Sequence, residues 1–238
     1  MIPLQADDAD DPTRALPVAT IGIVVLNVLV FLFEASLPEA RFNALVNAWS
    51  LVPCEFTNQC QAYPGTPSPF WLTLFSSMFL HAGWDHILGN MVFLVVFGMH
   101  VERAMGARRY VLFYLVCGMA ASAAEILTSA GSNVPGLGAS GAIAGVLAAY
   151  LVLYPGSRVR SLIPLGLSYR VASIPAWVFI GFWFLLQLAD GAMSLSDASG
   201  GVAYSAHVGG FIAGLLLVRL FAQPTRAAQM QAYHQQWA

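Results

Sequence analysis

Four polar side chains that could support acyl transfer occur within long apolar stretches of the 238-residue chain. Ser140 lies in the segment GLGASGAIAG, His207 in AHVGGFIAG, and His86 and Asn90 in HILGN. A serine hydroxyl becomes an effective nucleophile when a histidine accepts its proton. The carbonyl under attack then develops negative charge, which N–H donors can stabilise. His86 and Asn90 are four residues apart, hence on one helix face, and both side chains can donate.

The segments that carry these residues are typical of a membrane protein. The chain is 58% hydrophobic and only 9% charged, whereas soluble domains carry about 25% charged residues. Apolar runs long enough to cross about 30 Å of hydrocarbon predict six spans. They are residues 15–35, 84–102, 109–128, 136–155, 171–190 and 202–221. We therefore expect an all-α, six-helix membrane domain over 15–222, a short disordered N-terminus at 1–14 and a C-terminal tail at 223–238.

Arginine placement predicts the orientation of these spans. Positively charged residues are enriched in cytoplasmic connections, and only Arg41 lies on the side opposite to the termini. The other nine are Arg14, Arg103, Arg108, Arg109, Arg158, Arg160, Arg170, Arg219 and Arg226. Both termini are therefore expected in the cytoplasm, and the membrane is expected to be a bacterial plasma membrane. Spans 2, 4 and 6 then run inward, which brings His86, Asn90, Ser140 and His207 to a similar depth near the outer surface.

Glycines at helical spacing could bring the span that carries Ser140 close to the span that carries His207. They are Gly138, Gly141 and Gly145 in span 4, and Gly210 and Gly214 in span 6. Small residues let helix backbones approach closely in lipid, which would place the Ser140 hydroxyl within hydrogen-bonding reach of His207. Taken alone, Ser140 is more often a small packing residue and His207 an interhelical hydrogen-bonding residue. Their combination with HILGN favours catalysis.

Four segments together resemble the rhomboid family of intramembrane serine proteases: HAGWDHILGN, GMHVERAMG, GASG and AHVGG, in the family's order. The resemblance implies that Ser140 is the nucleophile, that His207 is the general base, and that His86 and Asn90 help to form the oxyanion hole. It also implies a dyad without the acidic third member of soluble triads, no cofactor, and single-span membrane proteins as substrates. Some relatives have an aromatic residue one turn after the serine. Here that position is Ala144, which leaves open what orients the His207 ring.

Several other polar residues are expected to have structural roles. The resemblance implies that Glu102, at the inner end of span 2, anchors that helix end through hydrogen bonds. Relatives often have a histidine at the position of His81, and we expect it to hold the outer loop. Glu34 and Glu125 lie near outer span ends, where their carboxylates are expected to reach the lipid headgroups.

The long outer connection, residues 36–83, carries its own features. Cys54 and Cys60 face an oxidising compartment in the predicted orientation, where a disulfide between them is permitted, and we expect this pair to be bridged. Cys117, within span 3, is expected to remain a free thiol. The segment PFWLTLFSSMFL at the end of the connection is too short to span and too apolar for water, so it is expected in the membrane interface.

Other functions are less consistent with the sequence. Catalytically inactive rhomboid-like proteins that bind membrane clients lack the serine or the histidine, and this chain has both. A small transporter would require ionisable residues near the midplane or inverted repeats. A metal site formed by His81, His86 and His207 is disfavoured, because the chain has no HExxH motif. The net charge of −2 gives no reason to expect a nucleic-acid partner, and no particular oligomeric state is indicated.

Overall fold

The computed structural model of the protein describes residues 1–6, 16–165, 168–194 and 204–223. The strands are β1 (Ile2–Ala6), β2 (Arg158–Leu165) and β3 (Ser168–Pro175). The helices are α1 (Val18–Ala35), α2 (Glu39–Trp49), α3 (Pro53–Phe56), α4 (Thr73–Ser76), α5 (Trp84–Phe93), α6 (Met99–Met105), α7 (Ala107–Thr128), α8 (Ser140–Leu153), α9 (Ala176–Ser194) and α10 (Tyr204–Phe221). Short 3₁₀ turns at Phe70–Leu72 and Ser77–Phe79 flank α4, and a π-helical segment at Leu94–Gly98 joins α5 to α6.

Four of the described helices are long and apolar enough to cross a membrane: α1, the continuous helix from α5 to α6, α7 and α10. The other two predicted spans correspond to shorter apolar helices, α8 and the segment Ala176–Leu186 of α9. The protein is therefore a mostly helical membrane protein in which four of the six predicted spans meet these criteria of length and composition.

The helix α8 is shorter than the apolar run 136–155 that predicts it. It begins at Ser140 because Gly138 has a backbone φ of +119°, which a right-handed helix does not allow. It ends at Leu153, just before Pro155 and Gly156, because proline cannot continue a helix. Its 14 residues rise by about 21 Å at the usual 1.5 Å per residue.

A three-stranded antiparallel sheet, in the order β1-β2-β3, shows that the all-α prediction is wrong in this part of the chain. β1 lies within the segment 1–14 for which we expect disorder, and β3 takes up the first residues of the run 171–190, so that this helix begins at Ala176. Exposed and buried residues alternate from Arg158 to Ser161, a strand pattern that a long hydropathy window averages away. The predicted C-terminal tail, from residue 224 onward, lies outside the described residues.

The connection between α1 and α5 contains helices where the sequence predicts a long loop. α2 follows Pro38 directly, and the apolar stretch Phe70–Phe79 is helical. In this stretch Phe70 and Trp71 have about half of their surface exposed. Exposed aromatic rings of this kind are suited to the boundary between lipid and water.

The centre of the bundle is formed by α7, α8 and α10. Every residue of α8 from Gly141 to Tyr150 is buried, and most of these residues are glycine, alanine or other small apolar residues. Small side chains let the neighbouring helices approach α8 from several sides, because backbone atoms then meet across the interface. α8 is therefore the buried central helix around which α7 and α10 pack.

Glu102, on α6, holds the beginning of α1. Its carboxylate accepts hydrogen bonds from the backbone N–H groups of Ala19 (2.9 Å) and Thr20 (2.7 Å) and from the Thr20 hydroxyl (2.7 Å). The first N–H groups of a helix have no acceptor within the helix, and a negative charge at this end is favourable. Since Glu102 is only 4% exposed, the carboxylate acts as a buried cap that joins α1 to α6.

We predict that Glu102→Ala lowers the free energy of unfolding by roughly 3 kcal/mol, because three donors lose a charged acceptor in a buried position. Thermal unfolding of the purified protein in detergent measures this loss as a lower midpoint. Glu39→Ala removes an exposed carboxylate from the first turn of α2 and serves as the control. Equal midpoints for the two variants would show that the hydrogen bonds from Glu102 to α1 do not contribute to the free energy of unfolding.

Candidate active site

Ser140 and His207 meet at one end of the bundle. The His207 Nε2 atom lies 2.7 Å from the Ser140 Oγ atom. Ser140 is the first residue of α8, and His207 lies in the first turn of α10. His207 is 6% exposed, whereas Ser140 keeps partial access to the outside. At this distance the imidazole can accept the hydroxyl proton, which is the first requirement of a serine nucleophile.

Glycines make this meeting possible. A Cβ atom on Gly210 would overlap the carbonyl oxygen of Gly141, and a Cβ on Gly214 would overlap the carbonyl of Gly145. A Cβ on Gly145 would stand 2.6 Å from the Cβ of Cys117 on α7 and 3.0 Å from the carbonyl oxygen of Gly210. The backbones of α8 and α10 are therefore in direct contact, and no side chain larger than hydrogen fits at these positions.

His86 and Asn90 face the backbone that leads into Ser140. A Cβ on Gly138 would stand 2.6 Å from the His86 Nε2 atom and 3.7 Å from the Asn90 Nδ2 atom. The backbone N–H of Ala82 makes a long hydrogen bond of 3.5 Å to the His86 Nδ1 atom. With Nδ1 as acceptor, a neutral His86 carries its proton on Nε2. Two side-chain donors thus point to the segment that immediately precedes Ser140.

Asn90 is held by His81. The Asn90 Nδ2 atom lies 3.0 Å from the His81 Nε2 atom, and because an amide nitrogen can only donate, the ring nitrogen must accept. Burial, with a smaller contribution from the neighbouring His86, lowers the pKa of His81 to about 4, so the ring is neutral at pH 7. The backbone N–H of His81 in turn donates to the Glu34 carboxylate at 3.2–3.3 Å. His81 therefore contacts both the end of α1 and a candidate oxyanion donor.

Two aromatic rings lie against His207, and the sequence did not predict either. The Trp183 ring, on α9, lies 5.9 Å from the His207 ring, and the Tyr204 ring lies 6.3 Å away in an edge-on arrangement. These rings provide aromatic contacts to His207 in a chain that has Ala144 one turn after Ser140. Tyr204 could have been found from its spacing, three residues before His207 on the same helix. The contact with Trp183 depends on the packing of α9 against α10, so no local sequence pattern predicts it.

Both carboxylates that the sequence assigns to the headgroups have protein partners instead. Glu34 is 1% exposed and binds the backbone of His81. Glu125, on α7, accepts a hydrogen bond from the hydroxyl of Ser205, two residues before His207. Glu125 and Ser122 also line a small cavity beside Ser140. The hydrogen-bond partners of both carboxylates come from distant parts of the chain. Hydropathy alone therefore predicts the wrong environment for Glu34 and Glu125.

The loop that leads into Ser140 is held by the connection between α1 and α5. Leu51 and Gly136 exchange two backbone hydrogen bonds, of 2.9 and 2.7 Å, and the N–H of Gly138 donates to the Ser77 carbonyl at 2.8 Å. A disulfide joins Cys54 to Cys60, while Cys117 is a buried free thiol. Within the residues that the structure describes, no group of three or more histidine, cysteine or carboxylate side chains is arranged to hold a metal ion.

Comparison with known proteins gives the context of this site. Residues 69–224 match the sequence model of the Rhomboid domain, a region that contains Ser140, His207, His86 and Asn90. The chain belongs to the rhomboid family. It is 33% identical over 158 residues to the rhomboid protease GluP of Bacillus subtilis, covering 66% of this chain and 27% of that protein.

Other rhomboid relatives match a similar region. The chain is 31% identical over 146 residues to RHOMBOID-like protein 5 of Arabidopsis thaliana, with 60% of this chain and 42% of that protein covered. It is 26% identical over 215 residues to the rhomboid protease AarA of Providencia stuartii, with 83% and 70% covered. The matched region thus spans less than half of the length of GluP and of RHOMBOID-like protein 5.

We predict that Gly210→Ala separates α10 from α8 in this rhomboid. The added methyl group meets backbone atoms of Gly141, which cannot rotate away, and overpacking of this kind costs about 1–3 kcal/mol. Thermal unfolding in detergent should show a lower midpoint, and labelling of Ser140 by a fluorophosphonate should decrease because His207 moves with α10.

Gly22→Ala is the matched control for this change. Gly22 lies in α1, and a Cβ there would meet nothing within 4 Å, so this variant should keep the wild-type midpoint and labelling. If Gly210→Ala behaved in the same way as Gly22→Ala, the backbone contact would not be what brings the two residues together.

Proposed function

We propose that this rhomboid is an intramembrane serine endopeptidase that cleaves single-span membrane proteins with Ser140 as nucleophile and His207 as general base. The observation that carries the proposal is the 2.7 Å separation of the Ser140 Oγ and His207 Nε2 atoms. Two further observations support it: the family includes proteins named as proteases, and Ser140 retains partial access while His207 is enclosed.

In the proposed reaction the Ser140 Oγ atom attacks the carbonyl carbon of the substrate peptide as its proton passes to the His207 Nε2 atom. The tetrahedral intermediate collapses when the carbon–nitrogen bond breaks, and the protonated His207 gives this proton to the leaving amine. The products of this half-reaction are the released amine fragment and an ester at Ser140. A water molecule then attacks the ester as His207 accepts its proton. The ester carbon–oxygen bond breaks, His207 returns the proton to the Ser140 Oγ atom, and the acid fragment leaves.

We infer that His86 and Asn90 stabilise the oxyanion together with the backbone N–H of Ser140. The first N–H groups of α8 have no acceptor within the helix, and they lie at the positive end of its dipole. His86 and Asn90 surround Gly138, only two residues before the nucleophile. Donors arranged before the reaction do not have to reorganise as charge develops, which is why such sites accelerate acyl transfer strongly.

We further propose that the dyad faces the outside of a bacterial plasma membrane, with both termini in the cytoplasm. The proposal rests on the arginines that the structure describes: seven lie at the end of the bundle opposite to Ser140, against Arg41 at the dyad end. Ser140 begins α8, so the cut should lie near the outer boundary of the substrate span. A substrate helix must unwind there at a cost of several kcal/mol for each exposed polar group. Substrates with glycine or proline in this part of the span are therefore favoured.

The dyad is tested by cleavage of a generic single-span substrate in liposomes. Ser140→Ala and His207→Ala should each abolish cleavage, because one lacks the nucleophile and the other lacks the base, while the thermal midpoints stay close to wild type. Mass spectrometry of the wild-type products should map the cut to the outer part of the substrate span. Substantial turnover by either purified variant would exclude the dyad, and a stable wild-type protein without turnover on any such substrate would favour a client-binding role.

Asn90→Ala should reduce kcat without abolishing it, since the other donors remain. Loss of one oxyanion donor typically lowers kcat by about 10²–10³, with a smaller effect on KM because the oxyanion forms only during the reaction. Asn43→Ala, an exposed position on α2, is the control and should leave both constants unchanged. An Asn90→Ala enzyme with wild-type kcat would remove Asn90 from the proposed oxyanion hole.

A further inference from the structure

The three-stranded sheet has two chemically different faces. One face packs on the bundle and buries Pro3, Ala6, Val159 and Ser161. On the opposite face, the strand register aligns Ile2 with Leu162 and Leu162 with Val171. Ile2 and Val171 have 51% and 53% of their surface exposed. We call this row, together with the exposed Tyr169 ring near the hairpin tip, the apolar band of the sheet.

Basic residues lie beside the apolar band on the same face. Arg158 and Arg160 alternate with the buried residues of β2 and are exposed. The Arg158 guanidinium donates to the hydroxyl and to the carbonyl of Ser173 on β3, which keeps it along the sheet surface. The hairpin sequence from Arg158 to Pro175 contains no aspartate or glutamate. This face therefore presents positive charge next to exposed apolar side chains.

The position of the sheet in the bundle sets its depth in the membrane. It directly follows α8, which begins at the dyad end and rises by only about 21 Å, less than the roughly 30 Å of hydrocarbon. β1 packs against the π-helical segment Leu94–Gly98, whereas α6 continues for another seven residues. The base of the sheet therefore lies alongside the inner part of this span, about 10 Å before the end of α6 at 1.5 Å per residue. Sheets with unpaired edges do not occur in the hydrocarbon itself, so the strands are expected to continue from this base into the headgroup layer at the same end of the bundle.

We propose that the outward face of this sheet binds an anionic phospholipid of the leaflet opposite to the dyad. The guanidinium groups of Arg158 and Arg160 contact the lipid phosphate, and the apolar band lies against the upper part of the acyl chains. Surfaces that combine arginine with exposed apolar groups bind the membrane interface in this way. The proposal does not depend on proteolysis, because the sheet and the dyad lie at opposite ends of α8.

A second copy of the chain fits this face less well than a lipid. Two outward faces brought together would add the arginines of one copy to those of the other, and the hairpin offers no carboxylate to compensate for this charge. Like charges that are brought together without compensation destabilise an interface. A lipid phosphate supplies the missing negative charge, and its acyl chains cover the apolar band.

The lipid site is tested by native mass spectrometry of the full chain, released from mixed micelles that contain phosphatidylglycerol and phosphatidylcholine. The wild-type protein should retain phosphatidylglycerol preferentially. Arg160→Gln should weaken phosphatidylglycerol binding by about fivefold, the contribution of one arginine near an anionic surface, and should leave phosphatidylcholine binding unchanged. Arg108→Gln is the matched control: it removes the same charge from an exposed position at the start of α7, at the same end of the bundle.

Three results would overturn the proposal. An equal loss in Arg160→Gln and Arg108→Gln would mean that general charge at this end of the bundle retains the lipid. No effect of Arg160→Gln would mean that the arginine is engaged elsewhere, for example by the aspartates at positions 7 and 8 that follow β1 in the sequence. A dimer that is lost on Val171→Asp, without preferential lipid retention, would assign the face to a second copy.

A depth measurement tests the same face independently. Val171→Cys adds an accessible thiol at an exposed position, since Cys54 and Cys60 are bridged and Cys117 is buried. A bimane label there should be quenched by brominated phospholipids in vesicles and protected from aqueous iodide. A label at Asn133→Cys, in the exposed loop before α8, should show the opposite preference. Quenching of the Val171 label by iodide to the same extent as the Asn133 label would place this face in water and reject the lipid site.

Discussion

The contact between the backbones of α8 and α10 is the constraint on which the rest of the site depends. In lipid there is little hydrophobic driving force between helices, so their association relies on close packing and on interhelical hydrogen bonds. Gly210 and Gly214 allow α10 to touch the carbonyl groups of Gly141 and Gly145. Only at this spacing do a side chain as short as serine and the ring of His207 come within 2.7 Å. The packing glycines are therefore as necessary for the dyad as its two side chains.

Buried carboxylates fix the position of α1, which does not pack closely on α8. Glu102 caps the beginning of α1, and Glu34 near its other end binds the backbone of His81. An unsatisfied polar group is costly in lipid, so these bonds fix α1 against α6 and against the segment before α5. His81, held in this way, accepts a direct hydrogen bond from Asn90 and so fixes the orientation of the Asn90 side chain. A helix remote from Ser140 thus helps to position a candidate oxyanion donor.

The sequence predicted those features that depend on local pattern and topology. Apolar runs located the helices, and the common direction of three spans placed Ser140, His207, His86 and Asn90 at one end. Prediction from the sequence failed where tertiary contacts override the local pattern. The run 171–190 is apolar enough for a span, yet Val171 pairs with Leu162 in a sheet. Glu34 is near a span end yet buried against His81, and the contact of Trp183 with His207 joins residues of separate helices. Neither burial nor ring contacts can be read from hydropathy.

The short length of α8 affects the structure at both ends of the bundle. A central helix that crossed the full hydrocarbon would place its first residue at the membrane surface and leave no room for a loop above it. With only 14 residues, α8 can begin below the surface, where Gly136 and Gly138 are held by Leu51 and Ser77, and Ser140 is partly shielded. A recessed start brings the other end of α8 closer to the far boundary, where a bare loop would leave backbone groups unpaired. Pairing of β2 with β1 and β3 satisfies most of these groups. The recessed position of Ser140 and the start of the sheet near the far boundary are therefore set by where one short helix begins and ends.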